Sequence, residues 1–432
     1  MIPTLLNIVQ RTVQTDIVKV FSLTAMSTLV KMLTGFVCIK IIAVILGPEG
    51  LALMGQLTNF STIIMAVACV GINNGVTKYI AEYKDDKSLF KNLVSTAYRI
   101  TIIGSIVSGL FMICCSSILG QLLLKTDEYN YVFILFGTTI ILYAMNNLLI
   151  SIVNGLKEFK LFVRINIVNS IVGAAYTIFF VLTLGLKGAM ISFVTYQSVA
   201  LLITIFMLRR YEWFCWDTFK AKFSTPLARK YLQYTLMTFV SVSVVPVAQL
   251  VLRSYVIVNI SQIEAGWWEA MNRLSTAYLT IITSSFGVYY LPRLSELKTN
   301  IELKREILKA YAVIIPALVV GFVVIYFLRF FVIKILFTPD FYPMENLFIW
   351  QLWGDLFKIA SWLLAFLMLA KSRTMAFVTT EILFSALYVG SALFLIHLHG
   401  TVGLVQAYLM NYILYTITMV IIFRKILTTR LI

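Results

Sequence analysis

Charge is the scarcest feature of this sequence. Of 432 residues only 12% are Asp, Glu, Lys or Arg, against about 25% in soluble globular chains. Hydrophobic residues reach 60% and the mean hydropathy is +0.92. Those values exclude a soluble domain with one large core and imply apolar surface that faces lipid. Histidine occurs twice, at His397 and His399 in an outer loop. The cysteines are Cys38, Cys69, Cys114, Cys115 and Cys215, an odd set without a CxxC. Neither a disulfide framework nor a metal site is supported. The motifs GxxxxGKS, GxxxxGKT, GxGxxG, HExxH and GxSxG are all missing. Two SxxK matches, at Ser88–Lys91 and Ser295–Lys298, sit in basic loops without SDN or KTG partners, so they are chance matches. The chain is expected to be no enzyme and to need no cofactor. Any transport would then be driven by gradients or by removal of product. Residues 1–20 carry Arg11, Asp16 and Lys19 and lack the apolar stretch and small-residue cleavage site of a signal peptide.

Apolar runs, by contrast, are plentiful. A bilayer crossing needs about 20 mostly apolar residues. Twelve such runs are read, roughly at 21–46, 51–80, 93–119, 131–154, 165–185, 188–208, 233–259, 265–291, 311–329, 346–370, 377–397 and 401–423. The expected fold is an all-α polytopic membrane protein. If the N-terminus is cytoplasmic, 24 Lys and Arg fall in inside segments, and only Lys125 and Lys187 fall in outside loops. That bias predicts both termini inside. The net charge of +16 is spread over these loops and forms no single basic face, so no nucleic-acid partner is expected.

The longest basic connection, 209–232, interleaves its charges with Trp213, Phe214, Trp216 and Phe219. This suits an amphipathic segment on the cytoplasmic leaflet. It divides the chain into a six-helix lobe at 1–208 and another at 233–432. Lys40 and Arg253 stand 213 residues apart, as do Asp127 and Asp340, while Lys78 and Arg293 are 215 apart. Six spans per half start both halves on the same side, so the repeat is parallel.

Several ionisable residues fall inside the runs, where an ammonium costs at least about 2.5–3.5 kcal/mol. Lys31 shares a helical face with Ser27, Thr34 and Cys38 and lies some fifteen Å from either interface. Lys40, nearer an end, can snorkel to the headgroups. Span seven aligns Gln249 with Arg253, span eight Glu269 with Arg273, and span ten Gln351, Asp355 and Lys358. At these spacings opposite charges can neutralise each other and fix helix contacts. Set against Glu269 and Asp355, read as the only deep acids, Lys31, Lys40, Arg253, Arg273 and Lys358 leave an excess of positive charge. An anionic substrate would balance it. The two acids remain open to two uses, ion pairing or coupling to H⁺ or Na⁺. Tyr143, Asn147 and Asn154, and Tyr408, Asn411, Tyr415 and Thr418, form neutral polar stripes that more often hydrogen-bond across helices than bind sugar.

The stretches STLVK, GPEGL and GVTKYIAEY, with VPVAQLVLR at 245–253, FGVYYLPRLSEL at 286–297 and WQLWGDLFK at 350–358, resemble the Wzx-type lipid-linked oligosaccharide flippases. Lipid III flippases and O-antigen translocases belong to that group. The resemblance runs nearly the whole chain. It implies the superfamily that also holds MATE exporters, with two six-helix lobes around a central cavity and alternating access. The implied substrate is an undecaprenyl-pyrophosphate-linked O-antigen or common-antigen unit. It would move from the cytoplasmic to the periplasmic leaflet of a bacterial inner membrane. Membrane lipids and the polysaccharide polymerase and chain-length proteins are the implied partners. Lys31, Lys40, Lys78, Arg253, Asp355 and Lys358 match by position, whereas Arg273 lies outside the matching stretches. Lys78 and Arg293, at the cytoplasmic ends of spans two and eight, are assigned to a gate. The rival reading is a cation-coupled MATE-like small-molecule antiporter, which would want an acid deep in span one where this chain has Lys31. A membrane scaffold without transport is disfavoured by the positive, polar-striped interior.

Overall fold

A computed structural model describes residues 2–285, 290–371 and 374–429, with side chains left undescribed at residues 2–24 and at a few later positions. The FGVY at 286–289, quoted above, and Arg373 and Arg430, two of the loop cations counted above, lie outside the described residues. So do the side chains of Arg11, Asp16 and Lys19.

The described chain is helical throughout. In order come α1 (Ile2–Ala68), α2 (Asn73–Tyr83), α3 (Lys87–Cys114), α4 (Ser116–Leu119), α5 (Asn130–Gly155), α6 (Phe159–Leu208) and α7 (Trp216–Lys220). Then follow α8 (Thr225–Asn259), α9 (Gln262–Ser285), α10 (Leu291–Glu296), α11 (Asn300–Phe327), α12 (Arg329–Leu336), α13 (Glu345–Ala370), α14 (Thr374–His399), α15 (Val402–Ile422) and α16 (Arg424–Leu427). Two of these are broken helices. In α1 the break is Gly47, at φ 63° and ψ −168°, a conformation that favours glycine. Pro48 then starts the second limb, where its missing N–H costs nothing. In α6 the break is Gly185, at φ 56°.

Among the described residues nine helices are long and apolar enough to cross a membrane. Two of the nine are the broken α1 and α6, each long enough for two crossings. α9 completes the twelve expected from the sequence; it carries Glu264, Glu269 and Arg273 and so falls outside that apolar set. The protein is therefore a multi-pass membrane protein.

The chain forms two compact units. One comprises Met1–Ile41 and Ile63–Phe239, the other Ile42–Thr62 and Val240–Ile432. In the first, Ile72 at the N-cap of α2 and Val76 and Ile80 within it pack with Leu93 and Val94 of α3 and Ile152 and Val153 of α5. The basic-aromatic connection docks on α3 of this unit. Ser95 Oγ donates to the Ala221 carbonyl at 2.7 Å, and Phe219 meets Tyr98 edge-on. Trp216 alone of its four aromatics turns outward, 71% exposed.

In the second unit α13 is central and packs on α9, α11, α14 and α15. The turn at Pro48 is covered closely by α9: a Cβ on Gly266 would fall 2.0 Å from the Pro48 carbonyl oxygen. Each unit orders its parts alike. Asp127 precedes α5 in the first as Asp340 precedes α13 in the second. Lys78 lies on α2 before the capped start of α3, as Arg293 lies on α10 before the capped start of α11.

Candidate functional site

The deep charges of the second unit are drawn together by α8, α9, α13 and α14. Arg253 of α8 is fully buried and donates from Nη2 to Glu269 Oε2 at 2.5 Å. Arg273, one turn further along α9, donates from Nε to the other oxygen of Glu269 at 2.7 Å. The guanidinium of Arg253 also lies over the ring of Trp268. The second limb of α1 closes this triad: a Cβ on Gly55 would stand 2.6 Å from Glu269 Cδ and 2.9 Å from Arg253 Cζ. The Nε and Nη1 of Arg253 are buried without a hydrogen-bond partner among the described residues.

Asp355 of α13 is also fully buried and accepts from four donors. Ser275 Oγ donates at 2.7 Å, Tyr408 OH at 2.8 Å, Gln351 Nε2 at 3.3 Å, and Tyr278 OH supplies the fourth. Ser275 and Tyr278 come from α9 and Tyr408 from α15, so one carboxylate ties three helices. Tyr408 reaches it because Gly354 leaves the room; a Cβ there would sit 2.4 Å from the tyrosine ring.

Lys358 does not pair with Asp355 within ion-pair distance among the described residues. Its Nζ lies over three rings instead, Trp362 at 5.1 Å, Tyr412 at 5.5 Å and Tyr408 at 5.6 Å. It feels the fields of Asp355 and of Glu381. Glu381, on α14, accepts from Tyr415 at 3.5 Å. The sequence reading, with Asp355 and Glu269 as its only deep acids, passed over this residue. With it, three deep cations (Arg253, Arg273, Lys358) face three deep acids (Glu269, Asp355, Glu381) in this unit. An acid in the middle of an apolar run, in TTEILF, was the signal available.

A cavity adjoins Lys358, with Gln249, Asn272, Tyr388, Tyr408, Asn411 and Tyr412 in its wall. It offers about 70 Å³ to the centres of water-sized molecules, several times the roughly 10–15 Å³ that one water needs. Its wall is polar yet carries one charge. Arg253, Asp355, Glu269 and Arg273 are not part of the wall.

The remaining candidates are in other places. Lys31 is exposed, as are Leu29, Leu33 and Val37 of the same limb. At 100° per residue, these three apolar residues share one stripe, and Lys31 lies on the far side with Ser27, Thr34 and Cys38. Lys40 falls within the apolar stripe by the same geometry and is half-buried. Lys78 is exposed on α2, near the ring of Tyr79. Arg293 is held at the surface by Glu296 at 3.3 Å and Glu306 at 3.9 Å. Within the second unit the structure thus joins Arg253, Glu269 and Arg273, sets Asp355 and Lys358 beside the cavity, and holds Arg293 at the surface, while Lys31, Lys40 and Lys78 belong to the first unit.

Comparison with known proteins narrows the reading. The chain is 30% identical over 393 residues to proteins named lipid III flippase in Escherichia coli and in Shigella flexneri, covering 91% of this chain and 94% of theirs. Among solved structures, a MATE-family multidrug resistance transporter of the MOP superfamily, in its inward-facing conformation, superposes with a TM-score of 0.72. It is 16% identical, over 92% of this chain and 96% of that one. That likeness establishes the shared two-lobe fold. The model of the family described as polysaccharide biosynthesis protein matches residues 17–298, and with kinship to the lipid III flippases over nearly the full length, the chain belongs to that family.

Proposed function

We propose that this protein is a flippase that moves undecaprenyl-pyrophosphate-linked oligosaccharide units, of the O-antigen or common-antigen class, between membrane leaflets. The observation that carries the proposal is the 30% identity to lipid III flippases across 91% of the chain. The MATE-like fold is compatible with the antiporter reading, but fold likeness at 16% identity says nothing of the substrate. On this reading the protein is a carrier and not an enzyme. It works by alternating access of a lobe at 1–208 and a lobe at 233–432, joined by 209–232. It sits in the bacterial inner membrane with both termini cytoplasmic, and the oligosaccharide unit leaves on the periplasmic side to meet polymerase and chain-length proteins. Lys31 is the cation best placed to receive the pyrophosphate, since it is exposed on a polar face. Lys358 and Arg273 serve as contacts for the rest of the substrate, away from the pyrophosphate, with Arg253 behind them. Lys78 and Arg293 belong to the cytoplasmic gate, and Lys40 anchors its helix at the headgroups.

The test is complementation. Strains that lack their own flippase, each making a different known glycan, should regain that glycan at the surface in at least one case. Failure in every strain, with the protein present in the membrane at normal level, would sink the proposal.

A further inference from the structure

The cavity beside Lys358 has a wall unlike that of an anion site. Around it the second unit balances its deep charges, three cations to three acids. Lys358 itself is held over aromatic rings and lies in the fields of Asp355 and Glu381. A diphosphate would find no excess positive charge there. The amides are another matter. Asn411, 6% exposed, points a buried Oδ1 with no hydrogen-bond partner among the described residues. Asn272 holds a buried Nδ2 in the same condition. Both residues line the cavity, one leaving a donor unpaired and the other an acceptor. Buried polar atoms in folded proteins are nearly always paired, so this opposed pair marks a place where a ligand completes the bonding. Gln249 adds a third amide to the wall. Tyr388, Tyr408 and Tyr412 add ring faces, with Tyr408 and Tyr412 packed edge to face at 4.8 Å between centroids.

Amide donors and acceptors in one wall match sugar hydroxyls, each of which both gives and takes a hydrogen bond. Aromatic faces match the C–H faces of a pyranose ring. From these observations we infer that the cavity of the second unit is a recognition site for one sugar ring of the glycan, with Gln249, Asn272 and Asn411 selecting it through its hydroxyl or amide groups. The inference rests on the flippase reading. It assigns to this unit the glycan and not the pyrophosphate.

The test uses the full chain in proteoliposomes and two probes. One is an isoprenyl diphosphate bearing a single N-acetylglucosamine, the other the same isoprenyl diphosphate without sugar. The quantity read is the ratio of their transbilayer rates. The wild type should favour the sugar-bearing probe. In Asn272→Leu, Asn411→Leu and Gln249→Leu that ratio should fall about tenfold, the loss expected when about one net hydrogen bond to the sugar is removed. Gln249 is half-buried and bonds to no described side chain, so Gln249→Leu keeps the test open if an asparagine variant does not fold. An unchanged ratio in folded variants overturns the inference, and so does a wild-type ratio near one. A wild type that moves neither probe overturns the flippase reading itself.

Discussion

Arg253 and Glu269 meet at 2.5 Å in the interior of the second unit, and neither is more than 7% exposed along its side chain. Removing one partner of such a pair strands the other charge, which costs about 3–5 kcal/mol, whereas replacing both by apolar groups of like volume is often neutral. Glu269→Gln should therefore lower thermal stability in detergent sharply, and the double variant Arg253→Met, Glu269→Leu should recover part of the loss, since Arg273, 20% exposed along its side chain, also loses its partner. A double variant as unstable as the single one would refute this account. The pair also changes how export data are read. Loss of export in Arg253→Met alone reports folding as well as substrate contact, and only the double variant separates the two.

Gly55 makes room for that pair. A Cβ at this position would press on Glu269 Cδ and Arg253 Cζ at 2.6 and 2.9 Å. Neither atom is the free end of a loose chain, because both groups are locked to each other. Gly55→Ala should cost about 1–3 kcal/mol, the usual range for overpacking, measured by the same thermal unfolding. An unchanged midpoint would mean that the triad shifts without cost.

The twelve crossings were legible because they rest on local properties, apolar length and the Gly47–Pro48 break. What was not legible depends on contacts between distant helices. Lys358 and Asp355 stand three residues apart, which reads as a pair, yet Tyr278, Ser275 and Tyr408 reach Asp355 from two other helices and turn Lys358 to its rings. Glu381 was missed because no partner lies near it in sequence; Tyr415 is 34 residues on. The excess of positive charge read from the sequence disappears within this unit once Glu381 is counted.

Asp86 caps α3 by accepting from the backbone N–H groups of Ser88 and Leu89, each at 3.0 Å. The Leu89 N–H, the Ser88 hydroxyl and the Ser88 N–H hold its carboxyl below the ordinary carboxylate range. A carboxyl depressed on folding contributes stability above its unfolded value, near 3.9 for Asp, and that contribution is lost as pH falls through the lower folded value. Hydrogen exchange at residues 87–93 should therefore stay protected at neutral pH and weaken in acid. Asp86→Asn keeps a capping oxygen without the titration, so its protection should not depend on that ionisation. A wild-type acid response retained in full by the variant would assign the effect elsewhere.

The loop charges predict 187 on one side of the membrane and 222 and 298 on the other. All three lysines are exposed, so a thiol at each would be open to reagents. Lys222→Cys and Lys298→Cys should react with a membrane-impermeant maleimide only after the cytoplasmic side is opened, and Lys187→Cys in intact spheroplasts. The reverse pattern would invert the topology.

Lys31 is the last and most direct test of how an anionic headgroup crosses. With deep charges balanced in the second unit, a fixed positive charge without an opposing acid has to be sought elsewhere, and Lys31 is exposed on the polar side of its helix. An ammonium at that depth costs several kcal/mol unless it meets water or an anion. A pyrophosphate leaving one headgroup region would meet it as hydration is lost. Held by too many cations it would not leave again, so a single well-placed ammonium suits transport better than a tight cluster. Charge and not bulk should matter. Lys31→Arg is expected to keep part of the surface-glycan export, and Lys31→Met to abolish it at equal membrane expression. Lys40→Met should be mild by comparison, because Lys40 lies along the stripe of Leu29, Leu33 and Val37, where a lysine can snorkel to the headgroups. Full export by Lys31→Met, or a greater loss from Lys40→Met, would remove Lys31 from the path of the substrate and require the anion to be carried by residues of another helix.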